Sequence, residues 1–171
     1  MLESADDLAS FESLVRQYFR FVFKVAYGVL RNAHDAEDVV QEVFLRVHRS
    51  SAKNVVDMRA WLASVAFRLA VDRFRQPDNT PLEDLDPASP AADAERLAID
   101  RQRMKHARKL IAALPDELRY PLVLSALEEL SSPQIAQVLG ISESSVRGRI
   151  FRARQILKEK LSALQERSHE A

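Results

Sequence analysis

Six basic side chains crowd into fourteen residues near the C-terminal end: Arg147, Arg149, Arg152, Arg154, Lys158 and Lys160, with Glu159 the single acid among them. Such a ladder lacks the acid–base pairing that stabilises a free helix. Its arginines suit paired hydrogen bonds to guanine edges or neutralisation of backbone phosphates. Ser142 stands where it can cap a helix, and helical spacing puts Ser144, Arg147, Gly148, Phe151 and Arg154 on one outward face, flanked by Arg149 and Arg152. The whole chain is nonetheless neutral, with 25 basic and 25 acidic residues in 171. The acids are segregated: Asp78, Glu83, Asp84, Asp86, Asp93, Glu95 and Asp100 face only Arg96 in their stretch. Fields act over a Debye length of roughly 8–10 Å, so a neutral total is compatible with a strongly positive face.

Other chemistries are poorly provided for. The absence of cysteine removes disulfides, thiolate zinc sites and a cysteine nucleophile together. His34, His48, His106 and His169 are scattered, with no H-E-x-x-H, no Ser/His/Asp signature and no phosphate-cradling glycine loop. No enzyme activity, metal or cofactor is expected. The start, MLESADDLAS, has neither a basic nor an apolar leader region. No apolar run approaches the ~18 residues of a membrane span. A cytoplasmic chain without a membrane span is expected.

The elements that must hold the ladder are helical. Helix formers dominate, glycines number three, and the apolar fraction is 47%, which together point to an all-α fold. Phe11, Leu14, Val15, Tyr18, Phe19, Val22, Val25, Ala26, Val29 and Leu30 follow amphipathic spacing. Asp35 with Asp38 reads as a capping-box variant opening a second helix, which buries Val39, Val40, Val43, Phe44 and Val47. After the polar loop HRSSAKNVVD, a third helix carries Trp61, Leu62, Val65, Ala66, Leu69 and Phe74 inward. These three form a small bundle, residues 1–75. Residues 76–93 hold four of the seven prolines and five acids, a flexible acidic linker. The second module, 94–171, begins with a helix over 94–113 that Pro115 stops, followed by a helix in DELRYPLVLSALEEL containing Pro121. Ser132 and Pro133 suit an N-cap and first position, Gly140 suits a left-handed end, and Val146, Ile150, Ala153 and Leu157 face inward from the last helix. Two short helices joined by LGIS have the dimensions of a helix-turn-helix, whose second helix enters the major groove.

Three segments in order carry a resemblance. DAEDVVQEVFLRV (35–47), RAWLASVAFRLAVDRFR (59–75) and LPDELRYPLVLSALEELSSPQIAQVLGISESSVRGRIFRAR (114–154) resemble the core-binding, promoter-melting and minus-thirty-five-binding regions of the extracytoplasmic-function (ECF) sigma factors of bacterial RNA polymerase. The resemblance spans about residues 11–161 and implies a region 2 bundle and a region 4 helix-turn-helix around the linker. It departs from the family at Arg68, where many relatives carry Asn, at Gly148, where a small polar residue is usual, and at Tyr120–Pro121.

The resemblance implies roles. Asp35, Glu37, Asp38, Gln41, Glu42 and Arg46 would dock on core polymerase, at the β′ coiled coil, with β as a further partner subunit. The loop Ser50–Asp57 would receive a flipped minus-ten base through Asn54 and Asp57, while Arg59, Arg68, Arg73 and Arg75 track the separated strand. Ser142, Ser144, Arg147, Arg149, Phe151, Arg152 and Arg154 would hold the minus-thirty-five duplex. The implied function is promoter-specific initiation by a stress- or signal-responsive sigma factor, monomeric when free and restrained by an anti-sigma factor. The free modules would pack through the acidic linker and mask the basic faces. A sigma-like domain that only titrates an anti-sigma factor has no need of the arginine ladder. A stand-alone helix-turn-helix regulator leaves the 35–47 segment unexplained.

Overall fold

The computed structural model describes residues 5–50, 54–76, 94–127 and 129–169. Within them the chain forms seven α-helices and no strand: α1 Ala5–Leu30, α2 Ala33–Arg49, α3 Met58–Phe74, α4 Ala94–Ala112, α5 Asp116–Ala126, α6 Ser132–Leu139 and α7 Glu143–His169. The acidic stretch expected as a linker lies, from residue 77 to 93, outside the described residues.

Helices α1, α2 and α3 form the first bundle. The apolar stripe of α1 delivers Val22, Val25 and Ala26 to full burial, where they meet Val40 and Val43 of α2 and Leu62, Ala63 and Ala66 of α3. A fully buried valine or leucine stabilises by about 1.5–3 kcal/mol relative to exposure, so this stripe fixes the bundle. The α1–α2 corner is sharp because Arg31 adopts a left-handed conformation, φ 56°, and Asn32 then caps α2 by accepting from the Asp35 amide at 3.1 Å. Asn32 is therefore the cap; Asp35 and Asp38 do not form the expected capping box but point at α3.

In the second module α5, α6 and α7 surround Leu118, Leu124, Ile135, Val146 and Ala153. Helix α5 ends at Ala126, short of the expected EEL, and it retains Pro121 fully buried inside it. A buried ring without an N–H fills core space at the position where a ladder hydrogen bond is lost. Helix α6 opens one residue earlier than expected. Ser131, not Ser132, is the N-cap: its side chain accepts from the Gln134 amide, and Gln134 Oε1 accepts from the Ser131 amide at 2.8 Å. This reciprocal pair satisfies two otherwise orphaned donors. Gly140 ends α6 at φ 66°, and Ser142 caps α7 by accepting from the Ser145 amide at 3.2 Å.

The two modules touch. Helix α3 packs on α6 and α1 on α5, and one buried cluster runs through both. Phe67 of α3 meets Tyr120 of α5 edge to face, with centroids 5.1 Å apart. Gly28 of α1 marks a close approach: a Cβ there would sit 2.6 Å from Val123 Cγ1 of α5.

Candidate nucleic-acid interface

Helix α7 divides as its spacing demands. Val146, Ile150 and Ala153 are buried against α5 and α6, with Leu157 partly buried beside them. Ser142, Ser144, Arg147, Phe151, Arg152 and Arg154 are exposed, and Arg149 is half-buried. Phe151, at 65% exposure, is a large apolar side chain with no cover on a basic face. Arg147 pairs with Glu143 one turn earlier. A Cβ at Gly148 would meet nothing within 4 Å, so packing within the chain does not require glycine there. Among the described residues nothing covers this outer face; the acidic linker through which masking is expected lies outside them.

The segment expected to meet the minus-ten strand leads into α3. Asn54 is exposed and Val56 is fully exposed. Asp57 is the N-cap of α3, accepting from the Ala60 amide at 2.9 Å, and its second oxygen accepts from Gln134 Nε2 at 3.0 Å. These two bonds, the backbone one first, hold its carboxyl below the usual carboxylate range, and the nearby Arg59 adds to the effect. Arg59 lies over the Phe21 ring at 5.3 Å and donates to the Glu129 carbonyl at 3.2 Å. Arg68 is exposed and donates to the Ser64 carbonyl of its own helix, and Arg75 is exposed at the end of α3. Trp61 and Phe74 pack against the core, as their spacing indicates.

Arg73 is engaged within the first bundle. Its guanidinium donates to Asp35 at 2.8 Å and to Asp38 at 2.7 Å, bracing α3 against the start of α2. The Asp35 side chain is only 13% exposed, so an arginine partner here compensates a carboxylate largely withdrawn from water. In the free chain Arg73 and Asp35 thus brace α3 against α2. It also occupies a cluster of possible cation ligands, His34, Asp35 and Asp38: a metal ion would have to displace the guanidinium.

The rest of the α2 polar face is open. Glu37 and Gln41 are exposed, Glu42 is half-buried, and Arg46 pairs with Glu42 at 2.9 Å. Leu45, 49% exposed, joins them three or four positions along the same face. Its spacing from Gln41 and Glu42, off the buried stripe, is the signal in the sequence that marks it. Lys24 and Glu129 are further polar residues that no local pattern singles out, and local pattern marks Gln134 only as the far end of the α6 capping box. They link the modules: Lys24 pairs with Glu129 at 3.1 Å, alongside the Arg59 and Asp57 bonds. A cavity of about 220 Å³ lies between the modules, lined by Phe67, Tyr120, Arg75 of α3 and Arg149 of α7 among others.

Among the described residues no helix is long and apolar enough to cross a membrane. Residues 14–80 match the family Sigma-70 region 2, and residues 102–157 match Sigma-70, region 4. The chain is 34% identical to the ECF RNA polymerase sigma factor SigE of Mycolicibacterium smegmatis over 91% of its own length and 63% of that protein. It is 30% identical to the RNA polymerase sigma-H factor of Pseudomonas aeruginosa over 92% of its length and 89% of that protein. Among solved structures it resembles CnrH in complex with the cytosolic domain of CnrY, at TM-score 0.65 and 26% identity, covering 91% of this chain and 90% of that one.

Proposed function

As the chain belongs to the ECF subfamily of the sigma-70 RNA polymerase sigma factors, we propose that it joins core polymerase through α2, opens the minus-ten region with α3 and the loop before it, and grips the minus-thirty-five duplex with α7. It directs promoter-specific initiation as an alternative sigma factor. The polymerase makes the phosphodiester bonds, so the chain itself needs no catalytic group. Residues 1–75 form the region 2 module and 94–171 the region 4 module, with 76–93 linking them.

The observation that carries this reading is the pairing of two separate open polar faces on one chain. One is the α2 surface of Glu37, Gln41, Glu42, Leu45 and Arg46, with Asp38 held by Arg73 at its edge; the other is the α7 surface of Ser144, Arg147, Phe151, Arg152 and Arg154. A DNA-only regulator uses the second and leaves the first without a partner. Ser142 serves by capping α7, Arg149 flanks its DNA face, and Asn54, Asp57, Arg59, Arg68 and Arg75 receive the displaced strand. Arg73 and Asp35 hold the two region 2 helices in register for this work. The site of action is the cytoplasm, where the polymerase is. CnrH is held by the cytosolic domain of CnrY, and a protein of that kind, an anti-sigma factor, restrains this chain by binding its free form and drawing it from the polymerase by mass action.

Run-off transcription with purified core polymerase, this chain and a promoter library tests the reading. Specific transcripts that require the added chain are expected. A chain that neither binds core nor starts transcription on any template refutes it.

A further inference from the structure

We infer that Gly148 and Phe151 form a slot on α7 that selects one thymine of the minus-thirty-five duplex by its C5 methyl group. The inference deepens the assignment of α7 to that duplex and rests on it. Helix positions three and four apart stand side by side. Ser144, Gly148 and Phe151 therefore make one row along the outer face, with Arg147 on one flank and Arg152 on the other, and all five are exposed. At the head of the row the Ser144 hydroxyl lies 3.1 Å from Ser142 Oγ, which ties it to the helix cap.

Nothing inside the chain accounts for a glycine at the centre of this row. Glycine lowers helix stability relative to alanine. Among the described residues the glycine with a left-handed backbone is Gly140, so Gly148 meets no conformational need. A Cβ on it would touch nothing within 4 Å, so it meets no packing need either. The gap is useful only to a surface that arrives from outside. Beside the gap stands Phe151, 65% exposed and unable to hydrogen-bond. Base edges in the major groove present donors and acceptors and one apolar group, the thymine C5 methyl, which phenylalanine can contact. With no side chain at 148, the α7 backbone can settle closer to the groove floor, and the Phe151 ring then covers that methyl. The flanking arginines keep their phosphate or guanine contacts, so the slot adds selectivity to an electrostatic grip.

The test uses full-length protein and the minus-thirty-five duplex of the promoter found by run-off transcription. Each thymine is replaced in turn by deoxyuridine, which removes the methyl and leaves every hydrogen bond. Affinity, read by fluorescence anisotropy, should fall roughly fourfold at one position, as expected for one methyl group no longer buried, and stay constant at the others. Phe151→Ala should bind thymine and deoxyuridine duplexes equally. Gly148→Ala is the sharper variant, because it fills the slot while favouring the helix: its melting temperature should rise, its duplex affinity should fall, and the deoxyuridine effect should vanish. A wild-type chain indifferent to deoxyuridine at every position overturns the slot, as does an effect that survives both substitutions. A chain that binds no minus-thirty-five duplex at all overturns the assignment of α7, and the slot with it.

Discussion

Replacing Arg73 with alanine separates a brace from a DNA contact. Its guanidinium bridges Asp35 and Asp38, and the three side chains are 36%, 13% and 36% exposed. Exposed ion pairs contribute about 0–1 kcal/mol, whereas breaking a buried pair costs about 3–5 kcal/mol because a charge is stranded. Asp35 is close to the buried case and Asp38 to the exposed one, so a loss of about 1–2 kcal/mol is expected. In a chain of this size that lowers the melting temperature by a few degrees. Chemical denaturation read by circular dichroism measures it, and Arg73→Lys should recover only part, since an ammonium cannot serve two carboxylates with a planar fork. Core binding should weaken with stability because α2 loses its anchor to α3. Arg68→Ala is the control: exposed and bonded only within its own helix, it should leave stability within about 0.5 kcal/mol and weaken minus-ten strand binding. If Arg73→Ala leaves stability unchanged and impairs only strand binding, the brace is wrong and Arg73 belongs with the DNA contacts.

The open face of α7 makes Arg147→Ala with Arg154→Ala a test of duplex binding. Affinity should fall, and the slope of log K against log salt should become shallower by about 0.9 for each phosphate no longer neutralised, with core binding intact. Gly140→Ala should cost roughly 1 kcal/mol by placing a Cβ in a left-handed conformation, whereas Gly148→Ala should gain about 1 kcal/mol of helix stability; thermal melts of the two, side by side, decide. The pH dependence follows from Asp57, whose carboxyl is held below its usual range. Its contribution is fully present above the ordinary aspartate value of about 3.9 and is lost as pH falls through the lower folded value. Single-strand binding and melting temperature should therefore show no Asp57-dependent change between about pH 6 and 8, with Asp57→Asn measured alongside for comparison.

What the sequence made legible was periodicity and local punctuation. The stripes of α1, α2 and α7 appear in or against the core, except Phe19 of α1, which is 44% exposed, because a helical face is written in spacings of three and four. Gly140 and Ser142 were readable for the same reason: their partners lie within five residues. Ser131 was also within reach, since Ser131-x-x-Gln134 is a capping-box spacing, but Pro133 makes Ser132 the more conspicuous candidate. Arg73 was not readable. Its carboxylate partners stand 38 and 35 residues away, and nothing local distinguishes a guanidinium that folds back from one that reaches DNA. The contacts of Lys24, Arg59 and Asp57 with the Glu129–Gln134 stretch cross 70 to 105 positions, so they arise only once both modules are built. Gly28 is an ordinary helix residue until α5 is placed against it.

Recruitment of polymerase by α2, so that α3 can open the minus-ten region, stands or falls on strand separation at a promoter. Permanganate reactivity of minus-ten thymines reads it, on a promoter chosen by the run-off assay and incubated with core polymerase and this chain. Reactive thymines are expected only when core and chain are both present, and should disappear with Glu37→Lys and Gln41→Ala on α2. Thymines that stay unreactive with the wild-type chain, or stay reactive after the α2 face is altered, would contradict it.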